Sequence, residues 1–526
     1  MKKYMLVIVV AAIFLLTACN GTTDLDTGAY TPPDTNYEYD INGPEQPALP
    51  YEENGQPEEP QPDEENEQPG DAAEPPAQSS NANSQHAVAI SAASQHAIAI
   101  MEDGSLWAWG GDTWYGLIGD GTTEVRNLPV QIMDDVAFAV AGHHHSFAIT
   151  NSGELWAWGG NRYGQIGDGS TQNRSSPVKI MDDVVYVTMP STVPNSHVGD
   201  GARSYAIRSD GGLWAWGHSG SYDVPWDVAL GDGRSENRYS PIQILEDVTS
   251  VVPTHIGGYA LTANGTLWGW HGTIIISNFE NNEWVTTEIE AQRYPTPVME
   301  NVASISSNAR FAITTSGELW SLGLGLEPAW VMNNVVYATG SGASNFAITT
   351  NGELWAWGQN RLPSHWRPSP VLGDGTTVDR DAPVRIMGDV VSVTTMGNIT
   401  YAITTDGNLW GWGTNTVSAL DQETEGYAWE YALDGEIPSG KRWLLDDDGG
   451  IGIRLSPVKM LENVISVAPT YFMFDHGWVR GFRTFALTAC GSVWAWGEND
   501  VFGLGQGSSL LGDGASENRP YPVRII

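Results

Sequence analysis

Basic residues are scarce in this chain. Of its 526 residues only 24 are Lys or Arg, against 63 Asp or Glu, so the formal net charge is −39. Binding to nucleic acid rests on a Lys/Arg surface that displaces the counterions of the phosphates, and this composition excludes a general nucleic-acid binder. Cysteine is scarcer still. Two residues cannot build the multi-bridge framework that staples small secreted domains. Charged residues make up 17%, which fits neither a coiled coil nor a wholly disordered chain. The apolar run from Met5 to Leu16 falls short of the roughly 20 residues that a membrane-spanning helix needs. What is abundant is 60 Gly, 30 Pro and 23 Trp: turn formers and large apolar rings, the composition of a turn-rich all-β protein.

Lys2 and Lys3 precede the short apolar run and Leu16-Thr17-Ala18-Cys19 follows it, giving the charge, length and small-residue exit of an export signal. The tetrad resembles the bacterial lipobox. That resemblance implies that residues 1–18 are a lipoprotein signal peptide and that Cys19 is lipidated, anchoring the exported chain to the outside of the cell membrane or to an outer membrane. Cys490 then has no disulfide partner; it sits in a turn where other copies of the motif below have Ser316, Asn351 or Asp406. From Asn20 to Gln85 there are 16 acidic residues, 11 prolines and no Lys or Arg. Such a stretch cannot bury enough apolar surface to offset its conformational entropy, so 19–85 is expected to be a disordered, extended tether.

The rest of the chain repeats itself. Eight segments align on Trp107, Trp156, Trp214, Trp268, Trp320, Trp355, Trp410 and Trp494, each with Gly three residues earlier; seven have a second Trp two residues later, Leu322 being the exception. Nine residues before the first Trp comes Ile98, Phe147, Tyr205, Tyr259, Phe311, Phe346, Tyr401 or Phe485. In Phe147-Ala148-Ile149-Thr150-Asn151-Ser152-Gly153-Glu154-Leu155-Trp156-Ala157-Trp158, strand-like alternation on both sides of a Gly-containing turn describes a β-hairpin. Downstream come a Gly-Asp-Gly turn in most copies, a Pro-Val strand such as Pro177-Val178, and a run such as Met181 to Val187, expected to supply the fourth strand. A sheet of this size cannot bury both faces alone, so the copies must stack radially into a propeller. The paired Trp columns then pack between blades.

The stretch Leu155 to Gly169 resembles the repeat of the regulator of chromosome condensation family. The resemblance covers about Ser84 to Ile526 and implies an RCC1-like β-propeller over 86–526, with seven or eight blades. Eight is expected, because the short copy from Phe311 to Thr339 still holds four strand-like stretches. The final copy ends at Ile526 without a fourth strand, and His86 to Ile90 is expected to supply it and close the ring.

Chemistry is sparse. Each Gly-Asp-Gly turn has one Asp, better explained as a cap on turn amides than as a calcium ligand. Asp446-Asp447-Asp448 is the densest acidic cluster, but it lacks the EF-hand loop. His143-His144-His145 cannot all face one ion in an extended segment, where side chains alternate, while His96 and His145 occupy a column where the family has a structural histidine. No metal, cofactor or catalytic residue is assigned. Symmetry is broken instead by insertions: Ser219 to Ala229, Thr273 to Gln292, Arg361 to Pro370, Thr414 to Asp447 and Glu498 to Leu510 after the Trp pair, with Met189 to Gly201 and Pro469 to Phe482 before the hairpin. They carry Trp226, Trp284, Trp366, Trp429, Tyr431, Trp443 and Trp478, aromatics suited to a protein hot spot or to sugar stacking. The expectation is a monomeric, non-enzymatic, lipid-anchored cell-surface scaffold that binds an extracellular protein or glycan and no nucleic acid. Guanine-nucleotide exchange, the best-known activity of the family, and a surface glycoside hydrolase are the alternatives. The family's secreted bacterial members include propellers that inhibit β-lactamases by binding them.

Overall fold

The computed structural model describes residues 86–526 apart from 112–113, 191–201, 220–228, 281–282, 324–325, 361–370, 398, 416–451, 475–477, 500–509 and 516. The signal, Cys19 and the tether lie outside the described residues. Among the described residues all regular structure is β-strand. Eight four-stranded antiparallel meanders follow one another in chain order, spanning 87–133, 136–181, 184–245, 248–299, 302–332, 335–387, 390–461 and 464–524, here blades 1 to 8. In blade 2 the strands are Val136–Ala141, His145–Thr150, Leu155–Gly159 and Arg174–Met181. The short copy forms a complete blade 5, ending in Leu326–Met332.

The strand assignment is offset by one from the sequence repeat. The run after each Pro-Val strand pairs forward, as the innermost strand of the next blade, rather than completing its own. Accordingly Ala87–Ala92 is not the missing strand of blade 8. It pairs with His96–Met101 as the inner strand of blade 1, and blade 8 has its own inner strand, Val464–Phe474. The reason lies in the link. Asp135, Asp183, Asp247, Asn301, Asn334, Asp389 and Asn463 adopt positive φ just before each inner strand, a conformation that Asp and Asn tolerate, and this turns the chain into the next sheet.

The ring closes by packing. The first residue of each inner strand donates its amide to the carbonyl of the hairpin-turn glycine in the blade before: Val136 to Gly104, Val184 to Gly153, Val248 to Gly211, and so on to Val464 and Gly407. Ala87 makes the same bond to Gly491, at 2.9 Å, joining blade 8 to blade 1. Eight equivalent bonds define an eight-bladed propeller with no unpaired seam.

The second Trp of each pair fills the joints. Trp216 is fully buried, lies 5.9 Å edge-on from Phe147 of the preceding blade, and donates Nε1–H to the Gln165 carbonyl at 2.9 Å. Its indole nests against Gly167, where a Cβ would lie 2.6 Å from Nε1. Trp158, Trp412 and Trp109 sit in the same way against Gly119, Gly373 and Gly512. The last of these again spans blades 8 and 1, beside Phe485. Each such side chain contributes at least the roughly 1.5–3 kcal/mol of a smaller buried apolar group. The first Trp of each pair is only half-buried, so the two columns do not share the work equally.

Candidate binding face

Antiparallel meanders decide where the insertions go. Connections from first to second strand and from third to fourth emerge at the same end of every blade, while hairpin turns and blade-to-blade links emerge at the other. All the sequence insertions fall on the first kind of end. Blade 4 carries there a separate hairpin, Ile274–Glu280 and Glu283–Ile289. In blade 8 the expected insertion before the hairpin instead lengthens the blade's own strands, Val464–Phe474 pairing with Trp478–Thr488. One face of the ring therefore carries all the variable segments.

The base from which they leave is closely hydrogen-bonded. Asn161, Asn360 and Asn499 are completely buried at equivalent places. Asn360 accepts the amides of Val371 and Leu372 on its side-chain oxygen and donates to Asp374 and to the Thr376 carbonyl; Asn499 repeats this with Leu510, Leu511, Asp513 and Ala515. A blade with four residues at this point (162–165) and blades with ten (361–370, 500–509) thus share one clasp. Asp374 receives the Thr376 amide and hydroxyl, and Arg380 Nε at 2.6 Å. Burial pushes its carboxyl up, but those hydrogen bonds outweigh it and its pKa lies below the ordinary value. Asp120, Asp168, Asp232 and Asp513 form the same pair with an Arg six residues on. These turns are structural, and the arginine partner is a part of the motif that the turn residues alone do not reveal.

Of the aromatic candidates, Trp226, Trp366, Trp429, Tyr431 and Trp443 lie outside the described residues, as do Asp446, Asp447 and Asp448. Trp284 is on the inserted hairpin opposite Phe279, and Trp478 is at the tip of the lengthened strands opposite Phe474. Sequence reasoning missed a group on the same face in the blades without insertions. Trp114 is 75% exposed. Tyr115 packs on His144 at 5.1 Å, and Tyr163 lies 4.7 Å from His218 with Arg162 over its ring. The signal was available: Tyr115-Gly116 and Tyr163-Gly164 align as a column of the uninserted copies.

Beneath this face a belt of polar side chains ties blades 8, 1, 2, 3 and 4. Arg483 donates to the Ser94 carbonyl, His96 meets Ser146 at 2.6 Å, His145 meets Ser204, and Arg203 donates to the Thr254 and His255 carbonyls. Burial, helped by the neighbouring imidazoles, holds His96, His144 and His145 down to about 3. His96 and His145, neutral, buried and bonded to serine hydroxyls, are joints. Among the described residues no three His, Cys, Asp or Glu side chains come together as a metal site.

The class is thus a β-propeller with one variable face. Among known families, the model of the regulator of chromosome condensation (RCC1) repeat matches residues 103–149 and 152–189, and a second model of that repeat matches 136–165. Residues 103–189 are thus similar to RCC1 repeats. A curated relative, the mitochondrial RCC1 domain-containing protein RUG3 of Arabidopsis thaliana, is 34% identical over 140 residues, 25% of this chain and 29% of that protein's length. Among solved structures, yeast RCC1 (Prp20) bound to Kap60 has 17% identity and a TM-score of 0.45 over 79% of this chain and 82% of its own. Prp20p from Saccharomyces cerevisiae, whose structure was described with its binding properties to Gsp1p and histones, has 16% identity and a TM-score of 0.46, covering 84% and 87%. Human WBSCR16 has 15% and 0.41, covering 73% and 84%.

Proposed function

We propose that this chain is a lipid-anchored cell-surface scaffold that recognises an extracellular protein or a glycan through the variable face of its propeller. The observation that carries this reading is the placement of every insertion at one end of the blades, on a base whose buried Asn clasps are unchanged by loop length. Connections free to vary on a fixed scaffold are where binding residues collect. The anchor part rests on Cys19 and its preceding tetrad. Metabolic labelling with a radioactive fatty acid tests it: the wild type takes up label and Cys19→Ala does not, whereas label retained by the variant would contradict lipidation.

The binding part is tested with the full-length chain on glycan arrays and against surface-protein extracts resolved by mass spectrometry. Any hit should weaken at least tenfold when Trp226, Trp366 and Trp429 are changed together to Ala, and a hit indifferent to all three would refute recognition through the insertions. A second reading, guanine-nucleotide exchange, is favoured by the RCC1 repeat match. Accelerated release of labelled GDP from a Ran-like GTPase would establish it.

A further inference from the structure

The opposite face of the ring carries a different feature, repeated eight times. In every blade the inner strand has a β-bulge after its first residue: register with the second strand skips from Val136 to Phe138, from Val335 to Tyr337, from Val464 to Ser466, and likewise in the other blades. The skipped residues are Val88, Ala137, Val185, Thr249, Ala303, Val336, Val391 and Ile465, and all are exposed although the residue before each is buried. Val185 is 59% accessible and Val391 56%. A bulge re-aims one side chain and leaves it out of the ladder. These residues recur once in each blade, at the end of the inner strand where the blade-to-blade links lie. Seven of the eight are apolar.

Around this apolar collar the turns are acidic. Asp135, Asp183, Asp247 and Asp389 end the links, and Asp103 and Asp210 lie in the hairpin turns, all exposed. The neighbouring cations are already engaged: Lys179 with Glu154 and Asp182, Arg208 with Asp183, Arg385 with Glu353, Lys459 with Glu462. Apolar side chains exposed on one face of every blade suit an interaction site, and carboxylates around them select the sign of the partner. A second copy of this face would bring carboxylates against carboxylates.

We propose that this collar of bulge residues is a docking site for a cationic protein segment that lays an apolar side chain among them. The site is separate from the insertion-bearing face and does not depend on how that face is used. The probe is a short fluorescein-labelled peptide of alternating leucine and lysine, compared by anisotropy on the full-length chain with leucine–glutamate and serine–lysine versions. The leucine–lysine peptide should bind at least tenfold more tightly than either and should weaken as salt rises. Changing Asp135, Asp183, Asp247 and Asp389 to Asn keeps the backbone conformation, because Asn already holds positive φ at 301, 334 and 463; it should weaken binding at least fivefold and flatten the salt dependence. Val185→Ser with Val336→Ser and Val391→Ser should weaken it similarly while the melting temperature stays near the wild-type value. Equal binding of the three peptides, or indifference to both sets of variants, overturns the proposal, as does concentration-dependent dimerisation abolished by the serine variants.

Discussion

The joint between blades 2 and 3 and the joint between blades 4 and 5 are built from different parts. At the first, Trp216 is fully buried against Phe147, bonded to a carbonyl of the preceding Gly-Asp-Gly loop and nested on Gly167. At the second, Leu322 stands in the Trp column and packs, half-buried, in the cluster around Tyr259. The preceding blade differs as well. Blade 4 is the one that would supply the glycine turn, and its connection is occupied by the inserted hairpin 274–289. Where both are present, the Trp and the turn that receives it are one lock divided between two blades; Trp357 and Trp496 keep the buried ring although the blades before them have no such turn.

Substitutions and deletions at the joints separate what each part contributes. Deleting residues 87–92 takes out the inner strand of blade 1 and the Ala87–Gly491 bond together; the melting temperature should fall further than for any point substitution here, and calorimetry reads it. Trp216→Ala should cost about 3–5 kcal/mol in a denaturant titration. Trp357→Ala should sit at the lower end of that range, because Trp357 is 9% exposed and faces blade 5, whose sequence has no Gly-Asp-Gly turn. Gly167→Ala places a Cβ against the indole at φ +89° and should cost about 1–3 kcal/mol, whereas Gly342→Ala, with open space around it, should cost less. Asp374→Ala removes a turn cap and the Arg380 pair for about 1–2 kcal/mol.

The smallest effect is on pH. His96 and His145 are neutral in the fold, with pKa values near 3 against an ordinary 6.5, so the unfolded chain binds more protons between those values. Stability should be complete above pH 6.5 and decline as the pH falls toward about 3. The slope between pH 6.5 and 4.5 should flatten in a His96→Gln, His145→Gln double variant; an unchanged slope would mean that other groups set it.

The blades were legible in the sequence because everything inside one copy is local: the hairpin glycine, the Trp pair and the Pro-Val strand recur within reach of one another. The locks between blades were not, since Trp216 and Gly167 belong to neighbouring copies and no spacing within one copy records their contact. The strand offset was hidden for a related reason. A run such as Val184–Thr188 reads equally as the last strand of one sheet or the first of the next, and the positive-φ Asp183 decides it. At the candidate face, insertions advertised themselves by length, while Tyr115 and Tyr163, in the shortest copies, were passed over as part of the motif.

The eight-bladed ring is held by bonds and packing between its own blades, and its insertions are additions on one face. Replacing residues 361–370 and 500–509 each by Arg-Tyr-Gly-Gln, the sequence that joins Asn161 to Ile166 in blade 2, tests it in a single chain measured for both melting temperature and binding to the array or surface-protein hit. The melt should be unchanged and the binding lost. A collapsed melt, or binding that survives the replacement, would contradict it.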